Sequence, residues 1–239
     1  MKILTIGNSF SRNSTHYLPE ICAEAGIELT LGGANLGGCS LEQHWNNASR
    51  NVPTYGADWA GDKTMCEVLE SEQWEYITMQ QASHYSWKIG TYQPYLDKLT
   101  AFVREHAPQA QLVVHQTWAY RTDNERLMNE FKISQAQMFH LIQENYNTMA
   151  ARLKAPILPV GDALRIMQEL TGDTVGCLTR NPDGPSHANA LGEYIGALIW
   201  FARLCGGNID GVSFVPDGVK AWSVPLAKEA AKTALEMYK

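Results

Sequence analysis

Five short apolar runs alternate with stretches of helical spacing along this chain, and that alternation constrains the fold more than any other feature. The strand-like runs are Lys2 to Gly7, Ile27 to Leu31, Trp74 to Met79, Leu112 to Thr117 and Ala155 to Val160. Apolar residues at three- and four-residue intervals predict helices between and after them. Ser14 to Ala25 places Leu18, Ile21 and Cys22 on one side, and Tyr95 to His106 does the same with Leu96, Leu99, Phe102 and Val103 before Pro108 stops it. Asn124 to Leu153 holds one helix or two, and Asp162 is expected to cap a helix reaching Leu170. His187 to Leu204 is a strongly apolar helix ended by Gly206 and Gly207, and Val224 to Tyr238 is the last helix. Strands separated by helices pair in parallel, because a crossover is needed to return each one to the same end of the sheet. The expected fold is therefore α/β: a three-layer α/β/α sandwich around a flavodoxin-like five-stranded parallel sheet, in the order 2-1-3-4-5. With no internal repeat or low-complexity linker, residues 1–239 read as one domain, and Asn46 to Lys63 as an excursion from it.

Composition narrows the function. Lys and Arg total 19 against 25 Asp and Glu, a net charge of −6, and no basic stripe is present, so nucleic acid is not an expected partner. No apolar run reaches the roughly 18 residues of a membrane-spanning helix, and no membrane role is expected. Cys22, Cys39, Cys66, Cys177 and Cys205 are odd in number and scattered, without Cys-x-x-Cys, which argues against a disulfide framework or a zinc knuckle. Such thiols suit a reducing interior, whereas a polymer-degrading enzyme would be exported. Met1 leads directly into a strand-like run with no signal-peptide pattern, and the compartment stays open.

Ligands of open parallel sheets sit beyond the carboxyl ends of the strands, near the point where strand order reverses. The segments expected there are Asn8-Ser9-Phe10-Ser11, Gly37-Gly38, Gln80-Gln81-Ala82-Ser83, His115 to Tyr120 and Asn181 to His187. In the last of these, Asp183-Gly184-Pro185-Ser186-His187 can fold back so that Asp183 meets one imidazole nitrogen of His187. The other nitrogen is then in the correct tautomer to take a proton from a hydroxyl. Ser9, at the same edge, is the hydroxyl that needs such a base. Backbone N–H groups at Ser9 and at Gly37 or Gly38, with a side-chain amide from Gln80 or Gln81, can receive an oxyanion. The bland alternatives are a turn or N-cap role for Ser9, an Asp-Gly turn at Asp183 and a plain loop at Gly37-Gly38. The Gly32 to Gly38 run lacks both the phosphate-cradling and the dinucleotide patterns, and no His-Glu-x-x-His is present; no cofactor or metal is implied.

This set, Gly7-Asn8-Ser9-Phe10-Ser11, Gly37-Gly38 and Asp183 to His187, resembles the SGNH hydrolases, the GDSL-type esterases and lipases, in block order over nearly the whole chain. The resemblance is to a bacterial branch of that family. It implies Ser9 as nucleophile, His187 as general base and Asp183 as its orienting carboxylate. Two departures stand out. The family usually carries an Asn in its third block, where this chain has Thr78-Met79-Gln80-Gln81; similarity to carbohydrate acetylesterases with Gln-Gly-Glu there favours Gln80 over Gln81 as the amide donor. The family's Asp-x-x-His is here Asp-x-x-x-His. His44 and His84 are expected in loops near the site, and His115 within a strand as a structural residue. Trp45, Tyr55, Trp59, Tyr85, Trp87, Trp118 and Tyr120 either offer flat faces to a sugar ring or cover the core under long loops. Trp45, His84 and Trp118 are the expected substrate contacts. The function implied is hydrolysis of a small acyl ester, acetyl first, on a carbohydrate or other small-molecule alcohol. A silent carbohydrate-binding protein and an acyltransferase are the competing readings.

Overall fold

The computed structural model describes residues 1–56, 61–173, 176–178 and 186–239. Five strands form one sheet in the order β2-β1-β3-β4-β5, flanked by helices in the expected α/β/α arrangement. They are β1 (Lys2–Gly7), β2 (Thr30–Asn35), β3 (Tyr76–Met79), β4 (Gln111–His115) and β5 (Ile157–Leu158). The pairings of β1 with β2, β1 with β3 and β3 with β4 are parallel, with Ile3 opposite both Leu31 and Tyr76. Two residues suffice for β5 because β4 reaches it through Val114 N–H to Pro156 O and Gln116 N–H to Leu158 O. The helices are α1 (Ser9–Thr15), α2 (Leu18–Glu24), α3 (Leu41–Ser49), α4 (Met65–Glu70), α5 (Tyr95–His106), α6 (Gln135–Leu153), α7 (Val160–Thr171), α8 (Ala190–Cys205) and α9 (Ser223–Glu236).

Contacts gather the chain into two compact units. The first comprises Met1–Arg12, Leu29–His115 and Asn145–Ile157. Its core is the strand residues Ile3, Leu4, Ile6, Ile77, Met79, Val113 and Val114, with α3 and α4 packed on α5. The second comprises Asn13–Glu28, Gln116–Glu144 and Leu158–Lys239, built around α8, which packs on α2, α7 and α9. Ile195, Leu198, Ile199 and Trp200 of α8 are fully buried, as its apolar sequence demands. Among the described residues no helix is long and apolar enough to cross a membrane. All five cysteines are described and are thiols.

Several boundaries differ from the periodicity for local reasons. The first helix begins at Ser9, not Ser14, because Asn8 caps it; the chain then breaks at His16-Tyr17, and Pro19 opens α2. β2 lies three residues further on than the Ile27–Leu31 run and takes in the glycine-rich segment. A Cβ on Gly32 would stand 2.4 Å from the Trp74 ring, so that strand has to be built from glycine where the indole covers it. Asp162 is not a cap. It lies inside the first turn of α7, buried, accepting from Gln116 (2.9 Å), Gln143 (2.8 Å) and Tyr238 (2.7 Å). His187 precedes α8 rather than starting it; Asn189 is the cap, its Oδ1 taking the N–H groups of Leu191 and Gly192.

Candidate active site

Ser9 is the first residue of α1, directly beyond the end of β1 and half-buried. The residue before it does the positioning. Asn8 is buried, and its Oδ1 accepts the Phe10 N–H at 3.0 Å, satisfying a donor that a helix start otherwise leaves orphaned. Its Nδ2 donates to the Cys39 carbonyl at 3.1 Å, tying the Ser9 corner to the loop between β2 and α3. The same loop hangs from Gly7, whose carbonyl accepts the Leu36 N–H at 3.2 Å. Gly7 admits no side chain: a Cβ there would stand 2.4 Å from Ser11 Oγ and 2.9 Å from Gln80 Cγ. Gly37 and Gly38 are exposed, with nothing near the place where a side chain would project. Gly38 has φ +62°, a left-handed conformation that glycine adopts without strain.

Beneath this corner lies a buried polar network. Gln80 Nε2 donates to Asn8 Oδ1 at 2.7 Å, while Gln80 Oε1 accepts from Ser11 Oγ at 2.6 Å and from His115 Nδ1 at 2.7 Å. A carbonyl only accepts, so His115 carries its proton on Nδ1. Its burial pushes the imidazolium down to about 3, and the ring is neutral. His44 is likewise fully buried and pushed down to about 4 by desolvation. Its Nε2–H donates to the Gly7 carbonyl at 2.9 Å, and its Nδ1 accepts a hydrogen bond from the Tyr55 hydroxyl at 3.0 Å.

In the second unit, His187 is half-buried in a bend ahead of α8. Its neighbours are fixed on both sides. The Ser186 carbonyl accepts the Trp118 indole N–H at 2.7 Å, and Ser186 Oγ accepts from Asn124 Nδ2 at 2.7 Å. Ala188 bridges Leu178 in antiparallel fashion, and the Asn189 N–H donates to the Cys177 carbonyl at 3.1 Å. Arg121 in turn donates to the Leu178 carbonyl at 3.2 Å. Asp183 lies outside the described residues, as do Gly184, Pro185 and Trp59.

A family profile described as "Domain of unknown function (DUF4886)" matches residues 2–234. The chain belongs to the DUF4886 family. A DUF4886 family protein from Bacteroides uniformis is 30% identical, with a TM-score of 0.88 over 99% of this chain and 95% of that one. A candidate SGNH hydrolase from Slackia heliotrinireducens is 24% identical, with a TM-score of 0.60 over 83% and 96% of the two chains. An acetyl xylan esterase is 13% identical, with a TM-score of 0.56 over 85% and 100%. The fold is thus that of the SGNH hydrolases. No curated protein sequence matches the chain.

In this DUF4886 chain, burial bears on four of the side chains singled out from the sequence. Gln80 has no exposed surface and spends its amide on Asn8, Ser11 and His115, so it braces the corner from below instead of presenting a donor. Gln81 is equally buried; its Oε1 accepts from Leu41 and Ala82 N–H groups, and its Nε2 donates to Thr91. Trp118 is 2% exposed and offers no face to a ligand; its indole N–H instead holds the backbone next to His187. His44 also leaves the list of possible contacts, being on α3 and sealed in. Trp45, with Lys98 Nζ 5.5 Å above its ring, and His84, with its ring centre 4.2 Å from that of Tyr85, are both half-buried and retain exposed surface. Residues that sequence reasoning passed over are Asn8, Ser11, Asn124 and Arg121. Of these only Asn8 had a local signal, an Asn between a strand-ending Gly and a helix.

Proposed function

We propose that this protein is a serine ester hydrolase with Ser9 as nucleophile, His187 as general base and Asp183 as the carboxylate orienting the imidazole. Ser9 Oγ bonds to the acyl carbon as its proton passes to His187. The tetrahedral intermediate collapses, the ester C–O bond breaks, and His187 returns the proton to the departing alcohol. Water, deprotonated by the same imidazole, then releases the acid from Ser9. The backbone N–H groups of Ser9 and Gly38 are the oxyanion donors of this reading. The substrate is a small acyl ester, acetyl first, on a carbohydrate, with Trp45 and His84 beside it.

The observation that carries the proposal is the bracket around Ser9. Asn8 and Gln80 are buried polar side chains, from residues following β1 and β3, and their hydrogen bonds converge on this one helix start. The sheet order reverses between β1 and β3, which is where ligands of such folds bind. Fluorophosphonate labelling with peptide mapping tests it: the label is expected on Ser9, and Ser9→Ala is expected to lose both label and hydrolysis of p-nitrophenyl acetate at unchanged melting temperature. Full hydrolysis by Ser9→Ala removes the proposal.

One observation favours a second reading, a silent glycan binder. With Gln80 withdrawn into the interior, a side-chain oxyanion donor of the kind worth about 2.7–4 kcal/mol has no occupant from the third block. Glycan affinity without labelling or turnover of any acetylated glycan would select that reading.

A further inference from the structure

A cluster unrelated to Ser9 joins α4 to α5 within the first unit. Cys66 and Glu70 stand four residues apart on α4, which puts both on one face. His106 is the last residue of α5. Cys66 Sγ is 3.2 Å from His106 Nδ1 and 3.3 Å from Glu70 Oε1, and His106 Nδ1 is 2.8 Å from the same Glu70 oxygen. These are a thiol, an imidazole and a carboxylate, with their ligand atoms all mutually in contact.

We infer that Cys66, Glu70 and His106 are three ligands of a zinc-class divalent cation site, with solvent in the fourth position. Zinc bound by sulfur at 2.3 Å and by nitrogen and oxygen near 2.0–2.2 Å sets tetrahedral ligand atoms about 3.4–3.6 Å apart, so the trio opens by only about 0.3–0.6 Å to admit it. Half-burial of Cys66 and His106 keeps bulk water off two of the ligands, while Glu70 sits at the rim. The surroundings are acidic: Glu67, Glu70 and Glu105 are the charged neighbours of Cys66, and their negative charges attract a cation. Binding releases the thiol proton to solvent, and His106 meets the ion through Nδ1, the ring nitrogen that faces the other two ligands. A thiolate selects zinc, cobalt or copper over magnesium and calcium.

Cobalt(II) titration of the full chain, first stripped with a chelator, tests this. The expected result is one equivalent bound, with a thiolate-to-cobalt charge-transfer band and the intense visible bands of a tetrahedral ion, both displaced by zinc. Cys66→Ser is expected to abolish the charge-transfer band, and His106→Gln and Glu70→Gln each to weaken binding at least tenfold. Circular dichroism checks that the variants are folded. A wild-type titration without the charge-transfer band overturns the site, as does a band that survives in Cys66→Ser. Ser9→Ala, titrated in parallel, is expected to bind cobalt like the wild type, which separates this site from the esterase reading.

Discussion

Gln80 donates its amide N–H to Asn8 Oδ1 at 2.7 Å, joining two residues 72 positions apart in the chain. Through that bond the end of β3 holds the end of β1. The same glutamine accepts hydrogen bonds from Ser11 and from His115, so one buried amide meets the helix start, its first turn and a neutral histidine at once. Every group in the set is uncharged, which makes full hydrogen-bond pairing the condition for burying it at all.

Replacing Gln80 with alanine therefore removes the acceptor that Ser11 Oγ and His115 Nδ1 share and the donor that meets Asn8 Oδ1. The expected cost is about 2–4 kcal/mol, from three buried hydrogen bonds at about 0.5–1.5 kcal/mol each. Urea unfolding measures it as a lower midpoint at unchanged slope. A loss below about 0.5 kcal/mol, the level of an ordinary surface change, would mean that the network does not brace this corner.

Gly7→Ala tests the steric side of the same corner. The added methyl meets Ser11 Oγ and Gln80 Cγ at distances that no relaxed side chain keeps. Overpacking of this kind costs about 1–3 kcal/mol. Thermal melting is expected to show it, with Gly37→Ala, where the space is open, as the benign comparison.

Trp118→Phe keeps an aromatic ring, though a smaller one, and removes the N–H that holds the Ser186 carbonyl. Stability is expected to fall by about 0.5–1.5 kcal/mol. If His187 is the base, kcat falls roughly ten- to hundredfold through its misplacement while KM barely moves. Equal loss in KM would instead return Trp118 to the role of substrate contact.

Acid lability follows from the two sealed histidines. Burial holds His44 near 4 and His115 near 3, against 6.5 in the unfolded chain. Both folded-state values are depressed, so below pH 6.5 the unfolded chain binds protons that the folded chain refuses. Stability is complete above that pH and falls as pH drops toward 4, by about 3 kcal/mol from His44 alone. Melting temperature against pH is expected to decline across this window, and less steeply in His44→Gln. A flat profile would show that these rings are not neutral and buried together in the folded protein.

Most strands and helices were legible because their signals are local, and the sheet order followed from the usual arrangement of such parallel α/β folds. Leu96, Leu99 and Val103 recur on one face, and α5 runs from Tyr95 to His106 as that spacing predicts. The glycines of β2 carry no such pattern. Their strand was misplaced because what selects Gly32 is the Trp74 ring pressed against it, 42 positions downstream. Ser9 and His187 were singled out from residue types and their order, whereas the burial of Gln80, Gln81 and Trp118 was not legible there. A side-chain amide or indole looks the same in sequence whether it faces solvent or not.

Periodicity and the order of the chemical blocks thus carried the α/β/α fold and the choice of Ser9, since both depend on neighbours along the chain. The folded arrangement alone decided which polar groups lie inside, that Asn8 and Gln80 hold the Ser9 corner, and that Cys66, Glu70 and His106 meet. The reason is energetic: a buried polar group is tolerable only when its partner is in place, and here the partners are supplied by distant segments of chain.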